Sequence, residues 1–207
     1  MRKRTDPMVP SRGRGRPPPI ESEEPGGREP APGALRLVQQ FINSNDLEAG
    51  VDQLDTPAAL GAWLQVHGLS SSRLRLTRVE LERARSFREL LRSLAIANNG
   101  VPLPPDTLRA VNRAFESLPV VGTFDQDQTH LEPSSAGLDE ALGRIAAIVI
   151  SEALGGRWRR LKSCARDVCH WVFYDHSRSG TGTWCTMAIC GSRTKANAYY
   201  RRSRGMN

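Results

Sequence analysis

Two short stretches decide how this chain is read: Lys162-Ser163-Cys164-Ala165-Arg166-Asp167-Val168-Cys169 and Trp184-Cys185-Thr186-Met187-Ala188-Ile189-Cys190. They hold all four cysteines of the 207-residue sequence, spaced C-x4-C-x15-C-x4-C. Zinc takes four soft or borderline ligands at tetrahedral positions, and two thiolate pairs on facing turns supply them directly. The alternatives are two disulfides or four unrelated buried thiols. A reducing compartment opposes the first and the clustering opposes the second. A set in which His170 or His176 replaces one thiolate is a competing arrangement. Four cysteines leave no open coordination position, so the expectation is one closed, structural Zn2+ per chain on Cys164, Cys169, Cys185 and Cys190.

Between the pairs, Trp171-Val172-Phe173-Tyr174 reads as a strand and Ser177-Arg178-Ser179-Gly180-Thr181-Gly182 as a polar turn. A hairpin carrying one pair and a turn-to-helix carrying the other predicts a small zinc-ribbon or treble-clef-like module over 157–207. That segment has eleven Lys/Arg against two Asp/Glu, a balance of +9, whereas residues 34–156 sum to −4 and residues 1–33 to +2. Four thiolates and one zinc reduce the module's charge by about two and leave it strongly basic. A concentrated cation without a hydrophobic anchor favours a polyanion, nucleic acid before membrane. After Cys190 the sequence predicts a short basic helix capped by Ser192. The candidate nucleic-acid contacts are Lys162, Arg178, Arg193, Lys195, Arg201 and Arg202.

Upstream, apolar spacing predicts five helices over 34–156. Their buried stripes are Leu35/Val38/Phe41/Ile42, Leu60/Trp63/Leu64, Leu81/Ala84/Phe87/Leu91/Leu94, Leu108/Val111/Phe115 and Leu138/Leu142/Ile145/Val149. Thr56-Pro57 and the capping box Thr77–Glu80 open two of them, and Gly68 and Asn98-Asn99-Gly100 stop two. Val120 to Leu131 is ambiguous and admits a short hairpin. The fold class is therefore mainly α, a helical domain followed by the small zinc module. Residues 1–33, with Pro17-Pro18-Pro19 and Gly26-Gly27, read as a disordered basic tail. No apolar run is long enough to span a bilayer and no secretory leader is evident, so the expected location is cytoplasmic.

The cysteine region resembles the CGNR zinc fingers of bacterial proteins. The matching stretches are Phe173-Tyr174-Asp175-His176-Ser177-Arg178, Trp184-Cys185-Thr186-Met187 and Cys190-Gly191-Ser192-Arg193. Ser192 stands where that family has its eponymous Asn, and Thr183 where it usually has a basic residue. The helical body is similar to the family's N-terminal ABATE domain. The resemblance implies zinc at the four cysteines and a stress-linked transcription regulator, DNA favoured over RNA as partner. RNA binding is the alternative the family descriptions also suggest. Arg12-Gly13-Arg14-Gly15-Arg16-Pro17 in the tail resembles an AT-hook core, which lies in narrow minor grooves.

Three functions are weighed against this background. The first is a nucleic-acid-binding regulator whose helical body senses a signal or homodimerises. The second is a protein-docking finger, and the third a thiol sensor in which Lys162 and Arg166 favour thiolates. An enzyme is not expected: His67, His130 and the pair Asp175-His176 form no local catalytic pattern.

Overall fold

A computed structural model describes residues 24–72, 74–126 and 129–203, without the side chains of residues 197–199, 201 and 202. The AT-hook-like stretch Arg12–Pro17 lies outside the described residues. The elements run α1 (Leu35–Asn43), β1 (Asn45–Asp46), β2 (Val51–Asp52), α2 (Pro57–Val66), α3 (Arg78–Ala97) and α4 (Pro105–Glu116). They continue with β3 (Val120–Phe124), β4 (Thr129–Pro133), α5 (Leu138–Leu154), β5 (Leu161–Ser163), β6 (Val172–Tyr174) and α6 (Ser192–Ser203).

The five expected body helices form, and their ends follow the expected chemistry. The Thr56 hydroxyl accepts from the Ala59 amide at 3.1 Å, with Pro57 at the first helical position. Thr77 and Glu80 close a reciprocal capping box. Gly68, at φ 69°, takes the left-handed conformation that ends α2 without a Cβ penalty. The ambiguous stretch becomes the antiparallel β3–β4 hairpin, with Val120 opposite Pro133 and Phe124 opposite Thr129, packed along α5. One expected core residue is misplaced: Leu108 is exposed, because α4 lies at the edge and touches α3 mainly through Phe115 on Phe87, ring centroids 5.7 Å apart.

The core does not stop where the body ends. Leu35, Val38, Phe41, Ile42, Leu91 and Leu142 share one buried cluster with Trp158, Leu161, Val172 and Tyr174. In the β5–β6 pair, Leu161 faces Tyr174 across the ladder and Ser163 faces Val172, and this side looks into the helical body. Since side chains alternate along a strand, Trp171 and Phe173 point the other way. There they pack with all four cysteines and Trp184 in a second cluster. The hairpin is thus a wall shared by two cores.

Side-chain amides and one guanidinium fasten that wall to the body. Asn43 on α1 donates to the Val172 carbonyl at 2.7 Å and accepts from the Val172 amide at 2.8 Å, as a neighbouring strand would. Gln39 donates to the same carbonyl, while Asn98 reaches the carbonyls of Trp158 and Leu161 and Asn99 that of Ser163. Arg92 is 4% exposed and spends its guanidinium on Glu89 and on the carbonyls of Ile42, Asn45 and His170.

Residues 24–33 depart from the expected disordered tail. They run across the finger as a strap. Trp171 Nε1 donates to Glu24 at 3.1 Å, and Arg28 lies 4.5 Å from the Phe173 ring centroid while donating to the carbonyls of Tyr174 and Trp184. Ala31 is buried, its amide bonded to Gln39 Oε1 at 2.7 Å. Composition pointed to disorder because the segment has almost no apolar side chains of its own. Its order comes from covering aromatic rings supplied elsewhere.

Candidate metal centre and its basic surround

The first cysteine pair rides on the end of β5 and the turn before β6. Cys164 follows Ser163, and its amide donates to the Trp171 carbonyl at 2.9 Å, so the hairpin ladder continues to the ligand itself. The turn returns through His170 at φ 47°, a left-handed conformation uncommon for a side chain of this size. Its carbonyl is held by Ser163 Oγ and Arg92. The second pair is carried by Cys185, after Trp184, and by Cys190 in a π-helical turn, Met187–Gly191, that runs directly into α6. Hairpin plus turn-into-helix is the treble-clef-like form of the expected module.

All four sulfurs lie within 4.8 Å of one another, and every cysteine is buried. Cys169 Sγ is 3.7 Å from Cys185 Sγ, which is 3.6 Å from Cys190 Sγ. A tetrahedron with Zn–S bonds of about 2.3 Å has edges of about 3.8 Å. The donor set, spacing and burial therefore fit one structural zinc ion. Neither histidine joins the cluster; His176 instead bonds the Pro30 carbonyl at 3.1 Å.

The sulfurs share their protons unequally. Hydrogen bonds from the Cys169 and Cys185 thiols pull Cys164 far below an ordinary thiol, helped by the amides of Cys185 and Arg166. Donating those same bonds pushes Cys169 and Cys185 up, so protons held by the cluster are what a dication replaces. Arg166 Nη1 stands 3.9 Å from Cys190 Sγ and 2.7 Å from Glu48 Oε1. Glu48 sits on the β1–β2 turn, which Asp46 Oδ1 organises by accepting from the Glu48 and Ala49 amides. Buried Arg88 anchors that turn with a two-pronged bond to Asp52 at 2.7 and 2.9 Å. The sequence alone had paired Arg166 with the thiolates, but its link to Glu48, 118 positions away, had no local signal.

Lys162 requires correction as a nucleic-acid contact. It is 6% exposed and points into the finger, where Nζ donates to Asp175 Oδ2 at 3.0 Å and to the carbonyls of Gly180 and Gly182 at 2.5 and 3.3 Å. All three of these bonds go to oxygen rather than to sulfur. Asp175 also accepts from the Ser177 amide and hydroxyl and from the Gly182 amide. Burial alone would raise the Asp175 carboxyl; these donors outweigh it and hold the group at about 2. Gly182 is required, since a Cβ there would stand 2.9 Å from Asp175 Oδ1. Asp175 and His176 bind different partners and make no acid–base pair.

Of the other candidate contacts, Arg178 and Lys195 are exposed, with no ion-pair partner among the described residues. Arg193 is exposed and pairs with Glu48 at 3.1 Å. The side chains of Arg201 and Arg202 lie outside the described residues. Ser192 does not cap α6 as expected. It is already helical, and its hydroxyl donates back to the Met187 carbonyl at 3.2 Å, because the π-turn feeds the helix without an extended residue between them. Arg159, exposed just ahead of β5, is a cation that the sequence reading passed over. Among the described residues no helix is long and apolar enough to cross a membrane.

Comparison with known proteins agrees with the geometry. A family model, ABATE, described as "Putative stress-induced transcription regulator", matches residues 35–157. A second, the CGNR zinc finger, matches residues 160–203, which include all four cysteines. No curated protein matches the chain.

Proposed function

This chain belongs to the ABATE family, and we propose that it is a zinc-dependent nucleic-acid-binding regulator acting on DNA, with the helical body as its sensing or dimerising part. The observation that carries the reading is the exposure of Arg178, Arg193 and Lys195 around a closed zinc centre within a segment of net charge +9. Cations held by a rigid, metal-fixed scaffold serve phosphate contact, whereas Lys162, Arg160 and Arg166 are committed to the protein's own oxygens and sulfur. Arg193 must leave Glu48 to reach a phosphate. A solvent-exposed pair is worth only about 0–1 kcal/mol, so a polyanion displaces it readily. The buried cysteines and caged Asp175 favour binding over catalysis.

The test is binding of zinc-loaded protein to pooled genomic DNA and cellular RNA across a salt series, beside Cys164→Ser. Without Lys162, five candidate cations remain, giving a log-affinity against log-salt slope of about −4.5 on duplex DNA. Sequence enrichment that Cys164→Ser loses supports the reading, and a slope near zero defeats it. A second reading, docking of a protein partner, draws on Val168, Met187 and Ile189, which are apolar yet 55%, 49% and 41% exposed on the finger. Preference for a folded partner over either polymer would select it.

A further inference from the structure

A cavity lies away from the cysteines. It encloses about 640 Å³ between the start of α1, the end of α2, β4 and one side of α5. That volume suits an organic molecule of ordinary cofactor or drug size. Leu37, Leu69 and Ile148 supply apolar wall. Its ionisable lining is three carboxylates (Glu132, Glu140 and Glu152), two imidazoles (His67 and His130, the latter 2.9 Å from Asp125) and one guanidinium (Arg144).

Three features give it a chemical preference. His67 stacks on Trp63 with ring centroids 3.8 Å apart, and its Nδ1 bonds the Trp63 carbonyl at 2.8 Å. That bond places the ring proton on Nδ1, and burial holds the imidazole below its ordinary pKa, so the neutral ring keeps an accepting Nε2. Ser135, also in the lining, has a buried hydroxyl with no hydrogen-bond partner among the described residues, a cost that a bound polar group removes. Glu132, Glu140 and Glu152 line the cavity against one guanidinium, Arg144. Arg144 pairs with Glu140 at 2.8 Å and Arg157 with Glu152 at 2.5 Å, leaving Glu132 with no ion-pair partner among the described residues. The acidic and imidazole groups there do not converge as a metal set.

We propose that this cavity binds a small amphipathic organic amine, with its apolar part against Leu37, Leu69 and Ile148 and its ammonium on the Glu132–Glu140 side. An anionic ligand would meet uncompensated carboxylate, and a purely apolar one would leave the Ser135 hydroxyl and the His67 lone pair unmatched. The site also has a route to the finger. Glu152 lines the cavity and holds Arg157, and the next residue, Trp158, is buried in the core shared with β5 and β6. The ligand's apolar part would rest on Ile148, one helical turn before Glu152, so occupancy bears on the segment leading into the zinc module. This consequence rests on the regulatory reading; the binding itself does not.

Calorimetric titration of zinc-loaded full-length protein with three matched probes tests the proposal: 1-naphthylmethylamine, 1-naphthylmethanol and 1-naphthylacetate. The amine is expected to bind at one site per chain and about tenfold or more tighter than the acetate. Glu132→Gln should weaken the amine about two- to fivefold and leave the alcohol unchanged. Ile148→Trp should crowd the apolar wall and weaken all three probes with zinc content intact. If that variant does not fold, Glu132→Gln, at an exposed position, decides alone. Acetate binding as tight as amine binding, no binding of any probe, or amine binding indifferent to the variants would overturn the proposal. DNA affinity measured with and without saturating amine separates the two ideas. An unchanged affinity removes the coupling to the finger, and absence of DNA binding in both conditions removes the regulatory reading while the calorimetric site stands.

Discussion

Replacing Lys162 with Met separates a structural cation from a phosphate contact. In the folded chain Nζ serves three acceptors, the Asp175 carboxylate and the carbonyls of Gly180 and Gly182, in a pocket where both charged partners are nearly inaccessible to water. Met fills much of the same volume but donates nothing. Removing one member of a buried ion pair costs about 3–5 kcal/mol. The low end applies here, because Asp175 keeps its bonds from Ser177 and Gly182. A loss of about 3 kcal/mol corresponds to a midpoint shift of about 1.5 M urea at a slope of about 2 kcal/mol per M. Tryptophan fluorescence of the zinc-loaded protein reads it, since Trp171 and Trp184 pack on the affected finger. Zinc affinity, measured against a chromophoric chelator, should fall as well, because the Gly180–Gly182 loop delivers Cys185. The folded, metal-loaded variant should bind DNA as the wild type does, with the same salt slope. A stability loss under about 1 kcal/mol together with a slope smaller by about 0.9 would refute the reasoning and return Lys162 to the phosphates.

Further expectations follow from the strap, the wall and the helix entry. Asn43→Ala orphans the buried amide of Val172, whose carbonyl keeps Gln39, and should cost about 1–3 kcal/mol in a urea melt; Gln39→Ala, which orphans the buried Ala31 amide while Asn43 keeps that carbonyl, should cost a comparable amount. Glu24 is held above its ordinary carboxyl pKa chiefly by burial, only partly offset by Trp171 and Arg28. Folding therefore carries a penalty for its ionised form at neutral pH that fades as pH falls through the raised folded value toward 4.5. Glu24→Gln should accordingly be more stable than wild type at pH 7, with the gap closing on acidification in paired denaturation curves. Ser192→Asn should leave zinc stoichiometry unchanged and shift stability by no more than about 0.5 kcal/mol, since its hydroxyl only returns a bond to an exposed turn.

Much of this was open to inspection in the residues. Caps at Thr56 and Thr77, the helical spacing behind the five body helices and the cysteine spacing each express a local rule, and the helices, caps and cluster formed. What escaped notice was non-local. Lys162 looked like a free cation because its carboxylate partner is thirteen positions away, across the hairpin. Leu108 had helical spacing, yet α4 has too little neighbouring surface to cover it. The strap's order depends on rings more than 140 positions downstream. One signal was available and passed over. Trp171-Val172-Phe173-Tyr174 has no polar alternation, which for a short strand means cover on both faces. That cover is the helical body on one side and the zinc core on the other.

The shared wall has a consequence for the chain's birth. Asn43 lies near the beginning of the folded part, yet its backbone-like partner Val172 is 129 positions later. At about 5–20 residues per second, roughly 6 to 26 s of translation separate the two. Throughout that interval Leu35, Val38 and Ile42 have no final strand to pack against. The nascent body must therefore wait, incompletely closed, for the last quarter of the polypeptide. Arrival of that quarter with its metal closes both halves together, so a ribosome that stalls before residue 172 leaves behind an unfinished helical body rather than a domain awaiting an accessory. Quality control that recognises exposed apolar surface would meet this protein early, and zinc scarcity would lengthen the encounter.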